Sequence, residues 1–89
     1  MEEQIYNKNG KVNRYTNLDD ILKLNLSDKL REEFKTKFKK RVYFEYKESC
    51  TIGKLVGIEI NEKLSAQYYI IDTEDKRIYI SCNNSLTLL

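Results

Sequence analysis

The sequence predicts an α+β domain: an N-terminal arm or hairpin, two short helices, then a four- or five-stranded antiparallel sheet forming a small barrel. Three observations carry this expectation. Leu30, Phe34 and Phe38 stand at i, i+4 and i+8, a helical stripe. Residues 41–82 hold short alternating apolar runs separated by turn residues. The helical runs precede the strands, the order expected of an α+β chain. With 89 residues there is room for one domain. Residues 1–16 form the arm or hairpin, 17–40 the helices, and 41–89 the antiparallel strands.

In the first segment, Asn9-Gly10 is a strong hairpin-turn signal, because a type I′ turn needs positive φ at both central residues. Its flanks are short and polar, so a mobile arm is the alternative. Asn17 then caps a short helix. Asp19 and Asp20 stand in its first turn, Leu18, Ile21 and Leu22 form its apolar stripe, and Asn25 ends it. Ser27 caps a second helix over Asp28–Lys39, in which Glu33 and Lys37 make an i, i+4 pair with the acid first.

The strands follow. Arg41–Lys47 alternates, with Val42, Phe44 and Tyr46 on one face. Thr51–Ile60 sets Ile52, Val56, Ile58 and Ile60 on one face, with Lys54 breaking the pattern. Gly53 and Gly57 lie on the other face, where glycine marks a bulge or a barrel corner. Ala66–Thr73 and Lys76–Cys82 form a hairpin around Glu74-Asp75. An even loop pairs Asp72 with Arg77 and Ile71 with Ile78. Tyr69, Ile71, Ile78 and Ile80 then share one face, and Tyr68, Ile70, Arg77 and Tyr79 the other. Leu86–Leu89 makes a last short strand after Asn83-Asn84-Ser85.

Composition removes whole classes of chemistry. The chain has no His, Trp or Pro. Without His there is no Ser-His-Asp or Cys-His arrangement and no imidazole base. Two cysteines 32 positions apart, Cys50 and Cys82, do not make a four-ligand zinc site. They read as free, partly buried thiols of a reducing compartment, or as a single bridge. Adjacent acids such as Asp19-Asp20, Glu32-Glu33 and Glu74-Asp75 do not face one another as acid/base partners. The expectation is a protein that is not an enzyme, has no metal or cofactor, and spans no membrane, since no run approaches the ~20 apolar residues of a crossing helix. Met1-Glu2-Glu3-Gln4 lacks the basic start of a signal peptide, which points to the cytoplasm. Abundant Lys, Asn, Ile and Tyr, all encoded by AT-rich codons, suggest an AT-rich genome, a phage or a mobile element.

From about Ser27 onward the plan, a helix and then five strands, resembles the Sm-like and SH3-like small barrels. Gly53-Lys54-Leu55-Val56-Gly57-Ile58-Glu59 is similar to the first Sm motif, Gly-x-Leu-x-Gly-Phe-Asp. Ile80-Ser81-Cys82-Asn83 is similar to the second, Ile-Arg-Gly-Asn. The resemblance implies a nucleic-acid-binding barrel that assembles into rings. The motif's Arg-Gly is replaced by Ser81-Cys82, and the first motif's Asn falls at Lys63, with Asn61 two residues early. Only Asn83 carries over from the uridine-holding residues.

Charge and aromatic placement give the candidate sites. Lys35, Lys37, Lys39, Lys40 and Arg41 are five cations with no acid among residues 35–41. The whole chain carries +2, so the remainder carries −3. Arg31, Lys35 and Lys39 stand at i, i+4 and i+8. Such a patch contacts phosphates, or is simply a solvated helix end that complements its dipole. Tyr43, Tyr46, Tyr68, Tyr69 and Tyr79 lie on strands, where a basic edge interleaved with rings suits single-strand stacking. The expected nucleic-acid contacts are Lys35, Lys39, Lys40, Arg41, Tyr43, Arg77, Tyr79 and Asn83, for RNA or single-stranded DNA. The rival expectation is a protein-interaction adaptor or inhibitor docking on a larger enzyme through Tyr43, Tyr68 and Tyr79, the tyrosines expected outside the core. A homo-oligomer is compatible with either.

Overall fold

In the computed structural model, which describes residues 12–63 and 65–89, two short helices pack on a six-stranded antiparallel sheet. The elements are β1 Val12–Tyr15, α1 Leu18–Leu22, α2 Asp28–Lys37, β2 Arg41–Tyr46, β3 Ser49–Asn61, β4 Ala66–Asp72, β5 Arg77–Ser81 and β6 Thr87–Leu88. The strand order is β5-β4-β3-β2-β6, with β1 also on β3, and the sheet does not close. The Asn9-Gly10 turn lies outside the described residues. The strand that follows it, β1, joins the main sheet by pairing Val12 with Asn61 and Tyr15 with Ile58.

Both helices start at the expected caps. Asn17 accepts from the Asp20 N–H, and the Ser27 hydroxyl accepts from the Leu30 N–H at 3.1 Å. Both end earlier than expected. α1 stops at Leu22 rather than Asn25, and the carbonyls at and beyond its end are taken by Arg31, whose guanidinium donates to those of Leu22, Leu24 and Leu26. α2 stops at Lys37 rather than Lys39. Lys39 adopts φ 64° and donates its N–H to the Leu55 carbonyl at 2.6 Å, and the Leu55 N–H reaches the Lys40 carbonyl at 3.2 Å. The sheet thus captures the end of the helix. The expected basic stripe of Arg31, Lys35 and Lys39 is therefore not a stripe: Arg31 is structural and Lys39 has left the helix.

β3 organises the sheet. Its first half pairs with β2, from Tyr46–Ser49 to Arg41–Lys54, and its second half pairs with β1 along the same edge. The opposite edge pairs with β4, with a bulge between Leu55 and Gly57. The extra residue, Val56, changes which face later side chains occupy. Gly53 and Leu55 face inward before it, and Ile58 does so after it. This corrects the expected single face of Ile52, Val56, Ile58 and Ile60. Ile52 points outward and is 45% exposed, while Gly53 opposes inward-facing Val42. A side chain at Gly53 would meet Ile71, and one at Gly57 would meet the Tyr15 carbonyl, so both close approaches require glycine.

The core lies between the helices and the inner sheet face. Ile21, Leu26, Leu30 and Phe34 pack on Val42, Phe44, Leu55, Ile58, Tyr69, Ile71, Ile78, Ile80 and Leu86. The Phe34 and Tyr69 rings are 5.7 Å apart and tilted. The Lys37 ammonium joins Glu33 at 2.5 Å and the Leu86 carbonyl at 2.9 Å, tying α2 to the segment before β6. The β4–β5 hairpin has the expected register, Asp72 opposite Arg77 and Ile71 opposite Ile78. Its four-residue turn is closed by Thr73, whose hydroxyl accepts from the Lys76 N–H. The β2–β3 connection is a two-residue turn, Lys47-Glu48, with φ 53° and 65°.

Candidate nucleic-acid interface

The outer face of the sheet carries the candidate site, and register assembles it. Arg41 lies opposite Lys54, Lys54 opposite Asp72, and Asp72 opposite Arg77. One row thus crosses β2, β3, β4 and β5 with three cations and one acid. Asp72 is already held: Arg77 Nε and Nη2 donate to its two carboxylate oxygens at 2.6 and 3.0 Å. That bidentate bond holds the Asp72 carboxyl below its usual value, with the Arg77 and Lys54 charges adding to the effect against slight desolvation. Among the described residues, Arg41 and Lys54 form no ion pair. Like charges directly opposite in a sheet are destabilising.

The neighbouring row is apolar. Tyr43 opposes Ile52 on one side and Thr87 of β6 on the other. Tyr43 is 38% exposed, and Leu88 and Leu89 at the edge are 43% and 62% exposed. Lys39 and Lys40 are exposed at the entry to β2. They lie beside the basic row rather than in it: the Lys39 ammonium is 5.8 Å from the Phe38 ring centroid, and Lys40, whose carbonyl accepts from the N–H of inward-facing Leu55, alternates with Arg41. Lys35 is exposed in the last turn of α2.

Other expected contacts sit elsewhere. The Tyr79 ring is covered by the Arg14 guanidinium, 5.1 Å from its centroid, and Arg14 Nε also holds Glu59 Oε1 at 2.7 Å. Glu59 is fully buried, and Tyr68 lies opposite it on β4. This is a packed polar cluster on the second half of the outer face, so its rings are not open stacking platforms. Tyr69 is in the core, and Tyr46 is flanked by the Lys47 and Lys76 ammonium groups at 5.4 and 5.8 Å. Asn83 is exposed in the turn after β5, where its N–H donates to the Ser81 hydroxyl. Asn61 is fully buried.

Residue Lys54 was missing from the expected set. In the sequence it is only a break in an apolar alternation; the signal that finds it is its position across from Arg41. The two thiols are free. Cys50 is exposed rather than partly buried, because it sits on the outer face near the β2–β3 turn. Burial pushes the Cys82 thiol up to about 12. Among the described residues, no group of three acidic or cysteine side chains is placed to hold a metal, and no helix is long and apolar enough to cross a membrane. The chain matches no family model, no curated protein and no solved structure in the comparisons made.

Proposed function

We propose that the protein is a non-enzymatic module that binds single-stranded nucleic acid on the first half of its outer sheet face. Arg41 and Lys54 take phosphates, Lys39 and Lys40 add positive charge beside them, and Tyr43 beside Ile52 stacks a base. The observation that carries this reading is the Arg41–Lys54 pair. Two cations held opposite one another strain a local rule of sheet stability, and the one acid of the row, Asp72 opposite Lys54, is shared with Arg77. Such local violations concentrate at functional sites. The order of elements, a helix α2 followed by the five strands β2–β6, is that of the Sm-like plan the motifs suggest, although the sheet does not close. A cytoplasmic setting suits two free thiols.

A protein-interaction reading draws on the exposed Tyr43 and Ile52 of the outer face, with Leu88 and Leu89 exposed at the free edge of β6. Fluorescence anisotropy separates the two. Labelled single-stranded RNA, single-stranded DNA and duplex DNA are titrated at low and moderate salt, with the wild type and with Arg41→Ala/Lys54→Ala. The nucleic-acid reading expects single-strand binding that weakens steeply with salt and falls at least tenfold in the double variant. Absence of binding at low salt would overturn it.

A further inference from the structure

The outer face of β2 changes chemistry along its length. Arg41, Tyr43 and Glu45 all point outward at successive i, i+2 positions. Steps of two strand residues are about 7 Å. A cation, a ring and a carboxylate therefore follow one another in a line. Glu45 and the nearby Glu48 are exposed and make no ion pair among the described residues. They repel phosphate, so a strand anchored on Arg41 and Lys54 keeps its backbone at that end.

At the carboxylate end lies a groove of about 610 Å³, lined by Tyr43, Glu45, Cys50, Asn83, Asn84 and Thr87 among others. Its size is within the range of small-ligand sites, ample for a nucleobase. The Asn84 amide donates to the Ser81 carbonyl at 3.0 Å, which fixes that side chain at the groove wall. Glu45 and Glu48 both line the groove, and Glu45 is the carboxylate that follows Tyr43 on the outer face of β2. An ionised carboxylate accepts only, so it pairs with a base edge that presents donors. Guanine offers two adjacent donors on its Watson–Crick edge, the ring N1–H and the 2-amino group. Adenine and cytosine offer one amine beside an acceptor. Uracil offers one N–H between two carbonyl oxygens, which a carboxylate repels.

We infer that this groove is a base-reading pocket that selects guanine, with Tyr43 stacking the ring and Glu45 accepting from its Watson–Crick edge. The inference rests on the single-strand reading above and adds base identity to it. Glu45 is the specificity-determining residue, and the basic row supplies affinity without selectivity.

The test uses three RNA octamers: all-uridine, the same with one central guanosine, and the same with inosine, which lacks the 2-amino group. Affinities are measured by anisotropy for the wild type, Glu45→Gln, and Arg41→Ala/Lys54→Ala. The expected result is about tenfold tighter binding of the guanosine octamer than of all-uridine, with inosine between them. Glu45→Gln should bring the three together while leaving uridine binding equal or tighter. Equal affinities in the wild type, with binding still lost in Arg41→Ala/Lys54→Ala, would overturn the guanine pocket and leave the single-strand reading standing. A guanosine preference that survives Glu45→Gln would overturn the role of Glu45. No binding at low salt of any octamer or of its single-stranded DNA counterpart would overturn both.

Discussion

The outer sheet face has two halves built from similar residues and put to different use. In the second half, Arg14, Glu59 and Tyr79 are packed together: the guanidinium holds one carboxylate oxygen at 2.7 Å and covers the ring at 5.1 Å. In the first half, Arg41, Lys54 and Tyr43 have the same kinds of groups but are turned to solvent, and the one acid in their row is bonded to Arg77. Cation, ring and carboxylate thus make a structural clasp on one half and an open surface on the other. The difference is one of pairing, not of composition. A charge whose partner is supplied by the fold holds the fold together, whereas Arg41, placed opposite its like, faces solvent and in the proposed reading meets a phosphate.

The contrast can be broken from either side. The largest effect is expected at the clasp. Arg14→Ala leaves the buried Glu59 carboxylate without its cation, which costs about 3 kcal/mol in urea-unfolding experiments. The double change Arg14→Ala/Glu59→Gln should recover part of that loss, since it removes the stranded charge. On the open half, Arg41→Ala/Lys54→Ala should leave stability within about 0.5 kcal/mol of wild type, or raise it slightly by relieving like-charge repulsion. Its effect belongs to binding, where the magnitude of the logarithmic salt slope for single-stranded RNA should fall by about 1.4, about 0.7 for each phosphate no longer neutralised.

Asp72 sharpens the comparison at the boundary between the halves. Its carboxyl is held below the usual range chiefly by the Arg77 hydrogen bonds. A folded value below the unfolded one means that this contribution is complete above the ordinary carboxylate range. It is lost as pH falls through the lowered folded value. Asp72→Asn should therefore make acid unfolding shallower at its low-pH end, by a small amount because the pair is exposed to solvent. The same variant removes the one acid of the basic row, so RNA binding should tighten. The thiols give the smallest readout. At pH 8, iodoacetamide should label the exposed Cys50 well before Cys82, whose thiol burial has pushed up to about 12. That raised folded value also means that stability is lost above the ordinary thiol range, as pH climbs toward 12.

What could be read in the sequence was set by local physics. Ser27 with Leu30 and Phe34 marked α2, because capping and helical spacing are local. The β4–β5 register was legible because an even turn and an Asp72–Arg77 pair agree with the alternation of Ile71 and Ile78. Features depending on distant strands were not legible. The Val56 bulge reverses the facing of half of β3, and no periodicity reveals where a strand gains one residue. Arg31 reads as part of a basic stripe until the carbonyls of α1 come into reach, and Tyr79 reads as an open ring until β1 brings Arg14 over it. The Lys47-Glu48 turn lacks the Asn or Gly that usually signals two positive φ values. For the candidate site, the basic residues 39–41 and Tyr43 were legible. Lys54, which completes the row, needed the pairing of β2 with β3.

The most direct test of the open-half claim is a residue-resolved one. An ¹⁵N-labelled sample is titrated with a single-stranded RNA octamer at low salt, and amide shifts are followed by NMR. The account predicts that the perturbed amides cluster at Lys40, Arg41, Tyr43, Ile52 and Lys54, with those of Arg14, Glu59 and Tyr79 unmoved. Shifts centred on the Arg14–Glu59–Tyr79 cluster, or none at all, would contradict it.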